Sequence, residues 1–288
     1  MTWVNTVIQG ILLGGLYALF AAGLSLVFGV MRLVNLAHGD FSVLAAFMAL
    51  LLVEHTGLSP LETLIVLIPG MFVVGWVLQY TLLNRAMGSE LSPLLATFGL
   101  AIIIQNVLQE AFSADSRGLD AGGIETSSIR IGSHIGIGWF PLLTFAVAVV
   151  VLSALQWLLH HSQVGRAMRA TSDDRATASL VGINNRRLYA LAMGISLATV
   201  AIAGVFLAIR TTFTPATGPA RLIFGFEAVI VGGLGSLWGT LLGGIVIGVA
   251  QTVGAQISTG WGIFAGHLVF MLVLLLRPQG LFPRTVTA

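Results

Sequence analysis

Apolar residues in this chain fall in long blocks, near 8–29, 38–53, 61–83, 94–109, 140–159, 188–209, 238–255 and 262–276. A helix that crosses a bilayer needs about 20 predominantly apolar residues, roughly 17–25, and each block approaches that length. The pattern predicts an all-α, polytopic membrane helical bundle. A further segment, 222–235 (LIFGFEAVIVGGLG), is apolar but short, and the next helix begins near Leu237. It reads either as a half-helix or as a short ninth crossing, which sets the expectation at eight to nine transmembrane helices. One leading apolar stretch could be a cleaved signal, but eight cannot. The first also lacks a basic n-region, so the N-terminus is expected to be retained. With no Pro-rich linker, low-complexity tail or break in composition, residues 1–288 read as a single transmembrane domain.

Charge orients the bundle. The longest charged connection, 160–188, carries Arg166, Arg169, Arg175, Arg186 and Arg187 against Asp173 and Asp174, and the positive-inside rule places such a loop in the cytoplasm. Counting back through the crossings puts the loops near Arg32 and Arg85 on the same side. The segments 54–62, with Glu54 and Glu62, and 114–138, with three acids against Arg117 and Arg130, then face outside. Arg277 and Arg284 favour a cytoplasmic C-terminus, which requires the short segment to cross.

Composition narrows the function. The chain is 57% hydrophobic and 8% charged, with a mean hydropathy of +0.98, whereas a soluble domain is about 25% charged. All thirteen basic residues are arginine and there is no cysteine. Without lysine there is no Walker A phosphate cradle, so this chain is not a P-loop ATPase. Without cysteine there is no thiol nucleophile, disulfide or thiolate metal site. The six histidines form no HExxH pair. The pI near 9.7 reflects arginines dispersed along loops, which membrane topology explains better than nucleic-acid binding does.

Several polar groups interrupt the apolar blocks. Asn35-Leu36-Ala37-His38-Gly39-Asp40 breaks the pattern between the first two helices. It fits either irregular backbone lining a cavity at membrane depth or an interfacial turn capped by Asn35 or Asp40. Gln105, Asn106, Gln109 and Glu110 lie at i, i+4 spacings and are expected to form one polar stripe, with Gln105 and Asn106 the pathway candidates and Glu110 in headgroup water. Glu227 lies in the short segment and needs water, a partner or a cavity. His267 reads as a packed, hydrogen-bonded residue. Glycines spaced four apart, at Gly10/Gly14, Gly235/Gly239/Gly243, Gly244/Gly248 and Gly262/Gly266, allow helices to approach closely, and packing within this chain is the favoured use of them.

The segment from Ser172 to Asn184 carries a short helix of its own. Ser172 or Asp173 can cap its start, and Asp173 and Asp174 suit its positive end. Gly182 is placed to stop it after about nine residues. Such a helix, bearing Ala176, Ala178, Leu180 and Val181, is marginal alone in water and is expected to dock on something, its own subunit or a partner.

Together, GLYALFAAGLSLVFGVMRLVNLAHGDF (15–41), RATSDDRATASLVGINNRRLYALAMGIS (169–196), VIVGGLGSLWGTLLGG (229–244) and RPQGLF (277–282) resemble the branched-chain amino-acid ABC transporter permeases, most closely the H-type (LivH-like) subunit. The likeness covers nearly the whole chain. It implies a permease of the bacterial inner membrane that pairs with a second, related permease. Two ATP-binding subunits bind the pair from inside, and an external solute-binding protein delivers substrate. It implies no cofactor in this chain, ATP and Mg²⁺ being held by the partner ATPases. By resemblance, Asp173, Asp174, Ala176, Ala178, Leu180, Val181 and Gly182 form the coupling helix that contacts the ATPase, and transport proceeds by alternating access. One departure is Ser172-Asp173-Asp174-Arg175, where Asn or Pro is common in the family. Similar permeases carry leucine, isoleucine and valine, other amino acids, urea or short amides, and no motif here reads an α-amino acid.

Two other classes fit less well. A channel of the aquaporin kind would show paired Asn-Pro-Ala half-helices, and no Asn-Pro dipeptide is present; an ion-coupled carrier would rest on Glu227 alone. An intramembrane aspartyl protease needs two facing carboxylates, and every aspartate besides Asp40 lies in a predicted loop.

Overall fold

The computed structural model describes residues 3–87, 89, 91–131 and 135–282; Arg284 lies outside the described residues. In chain order the elements are α1 (Trp3–Met31), α2 (His38–Thr56), α3 (Leu64–Leu78), a π-helical turn (Gln79–Leu83), α4 (Asn84–Ala86), α5 (Leu91–Phe112) and α6 (Gly123–Thr126). An antiparallel hairpin follows, β1 (Ser128–Ile131) and β2 (Ile135–Gly138). The rest is α7 (Trp139–His161), α8 (Gln163–Asp173), α9 (Arg175–Leu180), α10 (Asn185–Arg210), a 3₁₀ turn (Pro215–Thr217), α11 (Gly218–Gly232), α12 (Leu237–Ile257) and α13 (Trp261–Leu276). Among the described residues seven helices are long and apolar enough to cross a membrane, and α13, with 16 residues, is a shorter apolar helix beside them.

The core is built on α1 and α10. In each, 83% of the apolar window is buried, against 22–28% for α3, α5 and α7, so the first pair is enclosed and the other three present much of their apolar surface outward. Small residues bring the enclosed helices together, as the four-residue glycine spacing implies. A Cβ on Gly14 would collide with Ile245, and one on Gly244 or Gly248 with the α1 backbone at Gly14 and Gly10. Gly239 and Gly243 likewise meet α11 at Gly232 and Ala228. These stripes pack within the chain.

The bundle has a basic end and an acidic end. At the basic end, Ser172 donates to the Gly29 carbonyl at 2.6 Å, Gly29 faces Gly235, and the amides of Leu281 and Phe282 donate to Val231 and Gly232 at 2.8 and 3.1 Å. The ends of α1, α8 and α11 and the C-terminal segment therefore meet on one side, together with Arg277 and the arginines of 160–188. The segment 114–120 lies at the other end, with Arg117 and Phe213 exchanging backbone hydrogen bonds. This arrangement settles the direction of the short segment. At about 1.5 Å per residue the 15 residues of α11 reach about 22 Å, less than the ~30 Å hydrocarbon core. It starts inside the bundle and finishes at the basic end.

Candidate translocation path and coupling surface

α1 stops at Met31 because Arg32 turns left-handed, with φ of 51°, and the chain then runs back into the bundle without helix. The Asn35 carboxamide oxygen accepts from the Ala37 amide at 3.0 Å, an Asx turn that redirects the backbone into α2. His38, the first residue of α2, places Nε2 3.1 Å from the Phe20 carbonyl. Phe20 lies eleven residues before the end of α1, about 16 Å up that helix. The break is thus re-entrant backbone at depth, not an interfacial turn, and the residue before α2, Ala37, makes no side-chain cap. Asn35, His38 and Asp40 are each at most 1% exposed.

Asp40 is where three helices converge. A Cβ on Gly39 would strike the Gly218 carbonyl, and one on Gly218 would strike the Asp40 carboxyl, so the first turns of α2 and α11 are in backbone contact. Gln105 of α5 donates to Asp40 Oδ1 at 2.8 Å. Two helix N-termini, whose dipoles point their positive ends inward, and a carboxylate thus meet in the bundle interior. Asn106, expected beside Gln105, is exposed and bonds back to the Ile102 carbonyl at 2.7 Å; Gln109 and Glu110 are exposed too. Successive helical residues diverge by about 100°, so the expected single stripe divides, with Gln105 facing inward and Asn106 outward.

Glu227, 3% exposed, is paired with His267 of α13 through Oε1 and Nδ1. The imidazole therefore has the partner that spacing in the sequence does not show, 40 residues away. The pair ties the half-helix to α13. Phe224 stacks between Tyr17, at a centroid distance of 5.1 Å, and His267, at 5.8 Å. Tyr17 in turn donates to Gln251 at 2.6 Å.

At the basic end α8 lies across the bundle, capped by Ser162, which accepts from Gly165 at 2.8 Å. It buries Met168 and Thr171 and leaves Arg166 exposed. Asp173 is its last residue. The cap of the next helix, α9, is Asp174, which accepts from the amides of Ala176 and Thr177 at 2.8 and 3.2 Å and from the Thr177 hydroxyl. The expected helix of 173–181 is therefore the six residues 175–180, and the expected caps, Ser172 and Asp173, belong to the previous one, because Ser172 is engaged with Gly29. Hydrogen bonds from the Thr177 side chain, then from the Thr177 and Ala176 amides, hold the Asp174 carboxyl below the usual range. Gly182, at φ 87°, ends the turn. Ala178 is only 3% exposed and packs inward, whereas Leu180 and Val181 are 85% and 74% exposed. The outward face is therefore Leu180 and Val181, not Ala178.

α9 is also joined to its neighbours. Asn185 donates to the Arg175 carbonyl at 3.0 Å and accepts from Thr171 at 3.2 Å, and the Arg175 guanidinium lies 5.6 Å over the Tyr189 ring. Contacts from α9 thus lead to α10 and, by way of Ser172 and Gly29, to the end of α1 just before the Asn35 break. Among the described residues no three of His, Asp and Glu are grouped to hold a metal ion. Sequence reasoning missed Arg210 and Arg221, because it assigned arginines to loops; their position in the first turn of a short helix and the last turn of a long one was the available signal.

A family model described as branched-chain amino acid transport system / permease component matches residues 6–276. The chain is 27% identical to the high-affinity branched-chain amino acid transport system permease protein BraD of Pseudomonas aeruginosa, covering 98% of this chain and 96% of that one. It is 28% identical to the corresponding protein LivH of Escherichia coli K12 with the same coverage. It is 26% identical to the probable permease LivH of the archaeon Methanocaldococcus jannaschii, over 94% of this chain and 90% of the relative. No solved structure matches it.

Proposed function

We propose, on the premise that this chain belongs to the family of permease components of branched-chain amino acid transport systems, that it is driven by ATPases docked at its basic end. It is a multi-pass membrane permease subunit of an importer. Our reading adds the assembly: a second, related permease beside it, two ATP-binding subunits in the cytoplasm, an external solute-binding protein, and a place in the inner membrane. ATP and Mg²⁺ belong to the partner subunits, and this chain supplies the path. The relatives' names support branched-chain amino acids as substrate.

One observation carries the mechanism. The short helix α9 offers two exposed apolar residues, Leu180 and Val181, while its other side is bonded to α10 and, through Ser172, to the end of α1. An ATPase that grips this face more tightly in one conformation of the bundle than in the other biases the two. Movement there reaches the re-entrant segment 32–37 and the contact of α2 with α11, which exposes the path alternately to either side.

The test is leucine uptake by the complete transporter carrying Leu180→Asp with Val181→Asp. Both residues are outside the core, so normal amounts of protein should reach the membrane while uptake and ATPase association fall together. Uptake at the unmodified rate would sink the coupling assignment.

A further inference from the structure

Nine buried side-chain polar atoms among the described residues lack a hydrogen-bond partner, and four of them surround the Tyr17–Phe224 stack: Arg210 Nη1, Arg221 Nε, Glu227 Oε2 and Gln251 Nε2. Arg221 reaches Thr211, the neighbour of Arg210, at 3.2 Å, which brings the two arginines to one region of the bundle. Neither has an ion-pair partner among the described residues. The one acid on α11, Glu227, lies nearly two turns further along and offers Oε1 to His267. Both arginines are part-buried, and an arginine inside a membrane bundle with no acid beside it is a functional feature by default.

The orphan atoms have a chemical complement. Guanidinium groups bind carboxylates in paired hydrogen bonds, and a buried carboxylate oxygen with no donor is suited to an ammonium group. Beside Arg221 is a small cavity with an apolar wall, lined by Leu16, Phe20, Leu207 and Phe224 with Tyr17 and Arg221. Its volume is about 20 Å³, room for a single water. A larger ligand therefore enters a conformation in which α11 has drawn away from α1.

We propose that Arg210 and Arg221 bind the carboxylate of an aliphatic α-amino acid, that Glu227 Oε2 binds its ammonium, and that the Phe20, Phe224, Leu16 and Leu207 wall receives its side chain. This rests on the reading of the chain as an amino-acid permease and assigns the substrate contact within it. His267 is then a positioning residue, because it fixes Glu227 by one oxygen and leaves the other free.

The experiment maps arginine modification by phenylglyoxal, read by mass spectrometry, on the full chain in phosphatidylcholine nanodiscs. L-Leucine should protect Arg210 and Arg221 but not the exposed Arg186. Isovalerate, which lacks the ammonium, should protect more weakly, and isoamylamine, which lacks the carboxylate, not at all. Glu227→Gln should abolish the advantage of leucine over isovalerate. Equal modification with and without leucine overturns the proposal. So does protection that appears only in phosphatidylglycerol discs, which would give the arginines to lipid phosphate. Leucine uptake by the complete transporter separates the two readings: uptake without protection removes this site and leaves the function, whereas protection without uptake does the reverse.

Discussion

Gly39 and Gly218 show what a single hydrogen in place of a methyl does here. Alanine at either position forces the starts of α2 and α11 apart, since the colliding atoms are the Gly218 carbonyl and the Asp40 carboxyl. Overpacking of this kind costs about 1–3 kcal/mol, so Gly39→Ala and Gly218→Ala should each lower the melting temperature of the purified protein. Gly99→Ala, where nothing lies within 4 Å, should leave it unchanged or slightly higher, because glycine in a helix is about 0.5–1 kcal/mol worse than alanine. Asp174 gives a prediction in pH. Its folded-state carboxyl is held below the ordinary value by Thr177 and Ala176, so its contribution to α9 is complete above the unfolded value of about 3.9. That contribution is lost only as pH falls through the lower, folded value. Amide exchange in 175–180, corrected for the intrinsic rate, should therefore be equally protected from pH 5 to 8, and Asp174→Ala should lose that protection throughout.

Among elements, the half-helix α11 is held at one end by α2 and at its middle by the Glu227–His267 pair. Removing only one partner leaves a buried carboxylate or its imidazole alone, which is worse than removing both. A double-mutant cycle of Glu227→Gln and His267→Ala in thermal unfolding should show a coupling of about 0.5–3 kcal/mol; additive effects would mean that the pair does not secure α11. The coupling element was legible in part. Gly182 as its end and a docked short helix both follow from 172–184, but the outward face does not. Whether Ala178 or Leu180 points away depends on where the preceding helix stops, and that is fixed by the Ser172 bond to Gly29, 143 residues distant. Ala178→Arg therefore tests the packing of this chain, and Leu180→Asp tests the partner.

For the whole molecule, the two ends differ in charge and in what they carry, and the absence of native cysteine makes them easy to distinguish. Ser116 and Ser179 are both exposed, one beside the acidic-end bridge of Arg117 and the other on α9. In intact cells a membrane-impermeant thiol reagent should label Ser116→Cys, and Ser179→Cys only after permeabilisation. The reverse result would invert the bundle and remove α9 from the cytoplasm.

The blocks of apolar residues and the excess of arginine in one loop determine by themselves that the chain is a helical membrane bundle and which end is basic. Both are local properties, since span length and loop charge act on each segment separately. The four quoted blocks, read together, also carry the family. Tertiary structure alone decides the interior: that residues 32–37 re-enter to the depth of Phe20, that Asp40 meets Gly218 and Gln105, that Glu227 finds His267, and that Arg221 reaches the neighbour of Arg210 with no acid paired to either among the described residues. Each of these joins groups far apart in the chain, and within apolar helices no periodic pattern identifies the partner. Only the packing of the helices fixes which polar group faces which.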